Sequence, residues 1–162
     1  MGCSAAAAAL LSALNLSGCA EAPPAADPGA FYRSLAAPGL SVDAEQARAA
    51  FSAYRLNKGL KPLALDPDLQ RVAREEAAAM AAADRPARAE SVTRRLREAG
   101  VADPAANLSA GYHTLPEAFS GWRESPQHDK VLLKPTAARM GIATAYAPGS
   151  KYKVYWALVV GR

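Results

Sequence analysis

The sequence predicts an α+β sandwich, and three observations carry that prediction. In the middle of the chain apolar residues recur at helical spacing behind recognisable caps, as at Asp66-Pro67 followed by Leu69, Val72, Ala73, Glu76, Ala77 and Met80. Towards the C-terminus the period changes to two, where Met140, Ile142, Thr144 and Tyr146 alternate with Gly141, Ala143 and Ala145. At 162 residues, about half of them apolar, the chain is long enough to bury one proper core and too short to suggest two. Helices before and between short strands, with an antiparallel hairpin last, give helices packed on a small, mainly antiparallel sheet.

Taken from the start, residues 1–18 are uncharged and rich in alanine and leucine, too short to span a bilayer and suited to the apolar region of a signal peptide. The departure is that no Lys or Arg precedes the run. Met1-Gly2-Cys3 does not make an N-myristoylation motif, because position 6 is Ala rather than Ser or Thr. Cys3 and Cys19 are the two cysteines of the chain. Both lie in or at the edge of this leader, so the domain itself carries no disulfide, cysteine nucleophile or cysteine metal ligand. Pro23, Pro24, Pro28 and Pro38 stand among alanines in the next stretch, with Phe31, Tyr32 and Leu35 to bury. This reads as a semi-extended linker whose Phe31-Tyr32 pair docks on the domain. The expected organisation is a leader over 1–18, a linker over 19–40 and a domain over 41–162.

In the domain, Asp43 caps a helix with Gln46 at its third position, and Ala47, Ala50, Phe51 and Tyr54 follow at helical spacing until Gly59 offers a left-handed stop. A short extended turn leads to the helix opened by Asp66-Pro67. Ser91 is expected to cap a third helix through Val92, Leu96 and Ala99, ended by Gly100, with Arg94, Arg95 and Arg97 on a solvated face. Thr114 and Glu117 form a Thr-x-x-Glu capping box, so a fourth helix starts at Leu115 with Leu115, Phe119 and Trp122 on one apolar face. Ser125-Pro126 stops it and opens a new turn that contains His128. Last come two strands around Ala147-Pro148-Gly149-Ser150. The second, Tyr152 to Val160 by alternation, is apolar on nearly both faces, as a central strand covered on two sides must be.

Some functions are excluded early. The formal charge of +4 is mild and spread, and no run of Lys/Arg is interleaved with aromatics, so a nucleic-acid partner is not expected. Ser109, Ser120 and Ser125 lack the Gly-x-Ser-x-Gly setting of a serine hydrolase, and no glycine-rich phosphate loop follows a strand.

The ordered set Asn107-Leu108-Ser109, Gly111, Ala118, Trp122, Ser125-Pro126-x-His128, Leu132-Leu133 and Met140-Gly141-Ile142-Ala143 resembles the bacterial branch of the CAP superfamily, the SCP/PR-1-like domains, over roughly residues 43–161. Residues 55–60 resemble the family's Arg-x-x-x-Gly-Leu type of helix end. The resemblance implies a three-layer α-β-α sandwich. It also implies a cleft that in many members is lined by two histidines and two acidic residues, a set able to hold a divalent metal such as zinc. Here His128 matches one histidine, and Asn107 matches the asparagine of a Glu-Asn pair whose acid is replaced by Ala106. The other histidine is expected beyond Met80, and residues 81–90 contain none. No resident cofactor is therefore expected. The ligand cleft is expected to involve Asn107, His113, Glu124 and His128, with Glu124 the better acidic candidate because Glu117 caps a helix. Two readings stand for His128, a helix-start histidine bonded locally and a cleft-lining one.

Leu16-Ser17-Gly18-Cys19 resembles a lipobox, at which bacterial lipoproteins are cleaved and the new terminal cysteine is lipidated. The alternative is an uncleaved buried helix with Cys19 as an ordinary small residue. The expectation is an envelope lipoprotein on the periplasmic side, anchored through Cys19. Ala20 and Glu21 lack the aspartate that signals inner-membrane retention, which leans to the outer membrane. Its cleft is expected to bind a lipid, a cell-wall glycan or a partner protein. The alternatives are a degenerate hydrolase or protease using His128 and Glu124, and a purely structural envelope protein.

Overall fold

Asp43 and Asp66 fix the first two long helices by the same device. The Asp43 carboxylate accepts from the Glu45 and Gln46 amides at 2.9 and 3.0 Å, and that of Asp66 from the Asp68 and Leu69 amides at 3.0 and 2.9 Å. The computed structural model describes residues 1–2 and 28–162; all but the first two residues of the expected leader, with Cys19 and the first part of the linker, lie outside the described residues. In chain order the elements are α1 (Pro28–Tyr32), α2 (Ala44–Leu56), β1 (Ala64–Leu65), α3 (Pro67–Ala83), α4 (Ala89–Glu98), β2 (Ala105–Ala110), α5 (Leu115–Glu124), α6 (Pro126–Leu132), β3 (Arg139–Tyr146) and β4 (Val154–Gly161). The strands form one mixed sheet in the order β1-β3-β4-β2. Strand β4 is antiparallel to both neighbours, and the two-residue β1 runs parallel to β3.

The alternation of β4 sorts the core into two layers. Val154, Trp156, Leu158 and Val160 face a cluster with Phe51 of α2, Leu115 and Trp122 of α5 and Leu132 of α6. Tyr155, Ala157 and Val159 face Leu69, Ala73, Ala77 and Met80 of α3 and Val92 and Leu96 of α4. The sheet is thus covered on both sides, and the α+β, three-layer expectation holds. Helix α3 lies so close that a Cβ on Gly141 of β3 would fall 2.2 Å from the Leu69 carbonyl carbon and oxygen. The Gln70 side chain exploits that approach: its Oε1 accepts from the Ile142 amide at 3.0 Å and its Nε2 donates to the Ile142 carbonyl. One amide side chain extends the ladder where β1 has ended.

Arg55 closes the opposite layer. It is fully buried, yet its guanidinium donates to the carbonyls of Lys61 (2.8 Å), Leu132 (2.8 Å), Lys134 (2.9 Å) and Ala137 (3.0 Å). Burial alone lowers its pKa, and the four carbonyl dipoles oppose the desolvation.

Three local expectations are corrected. Helix α4 starts at Ala89 with Arg88 as an N-cap that makes no side-chain bond, so Ser91 sits inside the first turn rather than at the cap. Arg95 is not merely solvated, since it pairs with Glu76, whose side chain is 9% exposed at the α3–α4 junction. Strand β4 begins at Val154, not Tyr152, because the Tyr152 amide bonds the Ser150 hydroxyl at 3.0 Å and Lys153 takes φ 61°. The segment read as linker ends in contact with the core: Phe31 packs on it while Tyr32 stays exposed, and the buried Leu35 donates its amide to the His113 carbonyl at 2.7 Å. Among the described residues no helix is long and apolar enough to cross a membrane.

Two substitutions test this packing. Gly141→Ala must push α3 off the sheet and is expected to cost about 3 kcal/mol by overpacking; a urea midpoint within error of wild type would refute the close approach. Arg55→Lys keeps the charge but not the planar fork, and is expected to cost about 3 kcal/mol in the same assay because buried carbonyls lose their donors.

Candidate functional site

Strand β2 forms the far edge of the sheet, and its alternation decides what the edge offers. Asn107 and Ser109 point to the α5–α6 layer, where the Trp122 indole N–H donates to the Ser109 hydroxyl at 3.1 Å and the Asn107 Nδ2 donates to the His128 carbonyl at 3.0 Å. Trp122 in turn meets Trp156 edge-on, with centroids 6.1 Å apart, and is core as expected. Ala106 and Leu108 point to the α3–α4 layer. The edge is therefore pinned from one side by two side-chain hydrogen bonds, each made by a fully buried residue, Asn107 or Trp122.

His128 is delivered by the break between α5 and α6. Ser125, extended at ψ 113° ahead of Pro126, ends one helix and opens the next, which puts His128 in the first turn of α6 facing β2. A cleft of about 280 Å³ runs between the two: Asn107, Ala106 and Leu108 form one wall, Gln127, His128 and Val131 of α6 another, and Ala87 and Ala89 at the start of α4 the third. Beneath it, out of contact with solvent, two buried polar atoms, Asn107 Oδ1 and His128 Nδ1, have no hydrogen-bond partner among the described residues. Burial also lowers the His128 pKa, so its ring is held neutral.

The structure thus brings Asn107 and His128 together and places the other two candidates elsewhere. Glu124 is the exposed last residue of α5 and does not line the cleft. His113 lies in the β2–α5 loop, its amide donating to Glu117 Oε2 at 2.7 Å beside the capping box and its carbonyl held by Leu35. Gln127 and Val131 were not singled out by sequence, although their spacing from His128 on a short helix could have found them. Ala87 and Ala89 carried no chemical signal.

A resident divalent metal does not fit this donor set. The cleft holds one imidazole and no carboxylate, with Ala106 where the family pattern has an acid, and among the described residues no three His, Cys, Asp or Glu side chains stand close enough to share an ion. What the cleft can do is hydrogen-bond. Asn107 Oδ1 is an acceptor, and a neutral imidazole Nδ1 either donates or accepts according to tautomer.

The sign of the His128 effect on stability is fixed by its environment. The unfolded chain binds a proton near the ordinary value of 6.5, whereas the folded chain binds it only at lower pH. Stability should therefore fall as pH drops through 6.5 towards the folded value, by at most about 1.4 kcal/mol per pH unit. Thermal melts of wild type and His128→Gln from about pH 8 to about pH 5 should diverge below about pH 6.5 if His128 is responsible, and stay parallel if another group is.

Comparison with known proteins agrees with this fold. The sequence profile of the cysteine-rich secretory protein (CAP) family matches residues 48–160, well over half of the chain. No curated protein sequence matches significantly. Among solved structures, an extracellular SCP-domain protein from Bacillus anthracis is similar at 19% identity and a TM-score of 0.61, covering 74% of this chain and 40% of its own. A cysteine-rich secretory protein from Staphylococcus aureus gives 18% and 0.60, covering 86% and 40%. The chain therefore spans about two fifths of those two proteins. An outer surface protein from Borrelia burgdorferi gives 16% and 0.64, covering 76% of this chain and 98% of its own. At these identities the structures speak to the fold. With the profile match over the region that builds both core layers and the cleft, the chain belongs to the cysteine-rich secretory protein (CAP) family.

Proposed function

We propose that this CAP domain is a binding module of the bacterial cell envelope, anchored by a lipid on Cys19, whose β2–α6 cleft holds a ligand without transforming it. The observation that carries this reading is the character of the cleft's polar set: Asn107, Gln127 and a neutral His128, with Glu124 exposed and outside. The cleft lining carries one titratable side chain, His128, and no carboxylate to orient it or share its proton transfers, which favours hydrogen-bond recognition over general acid–base hydrolysis. Two relatives support the location by name, one called extracellular and one an outer surface protein. At about 280 Å³ the cleft suits a small group, such as one sugar ring, a lipid headgroup or a few small residues of a partner protein.

Native mass spectrometry of the chain from residue 20, incubated with an envelope lipid extract, muropeptides and zinc, tests the reading. A retained lipid or glycan adduct, weakened less than about tenfold by His128→Ala, is the expected result, since one buried hydrogen bond contributes about 1 kcal/mol. Turnover of any of these that falls by orders of magnitude in His128→Ala would establish the hydrolase instead, and stoichiometric zinc lost in the variant would overturn the donor-set argument.

A further inference from the structure

The hydrogen-bond phase of β2 says which of its backbone groups face the cleft. The Gly111 amide donates to the Val154 carbonyl at 3.0 Å, and the register pairs Ser109 with Trp156, Asn107 with Leu158 and Ala105 with Val160. In an antiparallel pair the bonded positions alternate with non-bonded ones, so Ala105, Asn107 and Ser109 point their N–H and C=O at β4. The N–H and C=O of Ala106, Leu108 and Ala110 consequently point away from the sheet. Among the described residues none of those six groups has a backbone partner.

Buried backbone groups without partners are rare and costly in folded proteins, and an open edge is a template for another strand. Ala106 and Leu108 are only 5% and 8% exposed, so this edge is not simply bathed in water. The cleft runs beside it, and beneath the cleft lie the two unpartnered atoms, Asn107 Oδ1 and His128 Nδ1. Its alanine walls, Ala87, Ala89 and Ala106, put no large side chain in the way of a backbone laid along the edge, and the volume of about 280 Å³ suits small residues. From Ala106 to Ala110 the edge is about 13 Å long at strand rise, the reach of four residues.

Charge indicates the end group. Asp84, in the loop before α4, is engaged by the Tyr155 hydroxyl. Arg85 and Arg88 of the same loop are exposed and join no ion pair among the described residues. Arg88 stands in sequence between the two alanines of the cleft wall, so two exposed guanidinium groups outside any such ion pair lie beside that wall, with Glu90 the acidic neighbour that follows them.

We propose that the cleft takes a short extended peptide with small side chains and a free carboxylate, which adds to the outer edge of β2 as a fifth strand with its carboxylate towards Arg85 and Arg88. This rests on the binding-module reading and names its ligand class. The main chain of the peptide supplies the partners that Ala106, Leu108 and Ala110 lack, the recognition mode of β-strand addition.

The test is NMR of the full ¹⁵N-labelled chain at low salt, titrated to millimolar concentration with N-acetyl-tetra-alanine. The expected result is selective shifts at Ala106, Leu108 and Ala110 with at least about fivefold slower amide exchange there, while Ala105, Asn107 and Ser109, already bonded to β4, change little. Alternate N-methylation of the peptide should abolish the effect. Amidating its C-terminus, or the exposed double substitution Arg85→Ala with Arg88→Ala, should weaken binding severalfold and flatten its salt dependence. If chitotriose or dihexanoyl phosphatidylglycerol shifts Gln127 and His128 while the peptide does nothing, the peptide inference fails and the binding module stands. If none of the three produces a shift and native mass spectrometry finds no adduct, both fail.

Discussion

The arrangement depends first on a cation buried without a carboxylate. Arg55 leaves α2 and gathers four carbonyls, one from the loop following its own helix, one from the end of α6 and two from the loop linking α6 to β3. Taking a guanidinium out of water is expensive unless each N–H finds an acceptor. Here the acceptors include Leu132, the last residue of α6, whose carbonyl has no partner within the helix. Cation and helix end therefore satisfy each other, and the favourable dipole at a helix C-terminus adds to the attraction. The α6–β3 loop is fixed by this contact, and with it the tilt of the short helix that carries His128. A seven-residue helix is too short to be stable alone. The cleft is thus located by a residue that does not line it.

The other end of α6 is fixed differently. Asn107 spends its Nδ2 on the His128 carbonyl, one of the groups early in α6, and keeps its Oδ1 unpaired beneath the cleft. Next to it the Trp122–Ser109 bond holds α5 to the same strand, and Tyr112 packs so tightly on α5 that a Cβ on Gly121 would fall 2.1 Å from its hydroxyl oxygen. The edge strand is locked on its α5–α6 face and left open along its rim. Edge strands are usually blunted by charge, proline or a covering element. Here α4 and α6 flank the rim without closing it, which is why a cleft exists at this edge while Gln70 extends the ladder at the β1 side.

What could be read in the sequence was what local chemistry decides. Asp43, Asp66-Pro67 and the Thr114–Glu117 box act within a turn of their own backbone, and each does in the structure what its residue type dictates. The alternation from Met140 to Val160 likewise survives, because one face of a strand cannot be exchanged for the other without turning the core outwards. Failures came where a distant partner decides. Ser91 looks like a cap, but Val92 and Leu96 must face α3, and that sets the start of α4 three residues earlier without any capping side chain. Nothing in Gly59 to Leu65 announces a parallel strand, since β1 exists through bonds to Ala138 and Met140, far along the chain. At the site, Asn107 and His128 were readable from the family pattern. The alanine wall was not, because alanine has no chemistry to read and matters here only as space.

The replacement at position 106 is where sequence and chemistry meet. A strand alternates its side chains, so residue 106 approaches the cleft from the α3–α4 side while Asn107 and His128 approach from the other. An acid at 106 would put a carboxylate across the cleft from the imidazole, and its negative charge would favour the imidazolium or a shared cation. With Ala106 that charge is gone, the imidazole is governed by burial alone, and the carbon it exposes is compatible with a neutral backbone or ring lying against the edge. With alanine at 106 the lining of the cleft offers hydrogen-bonding groups and apolar surface and no carboxylate.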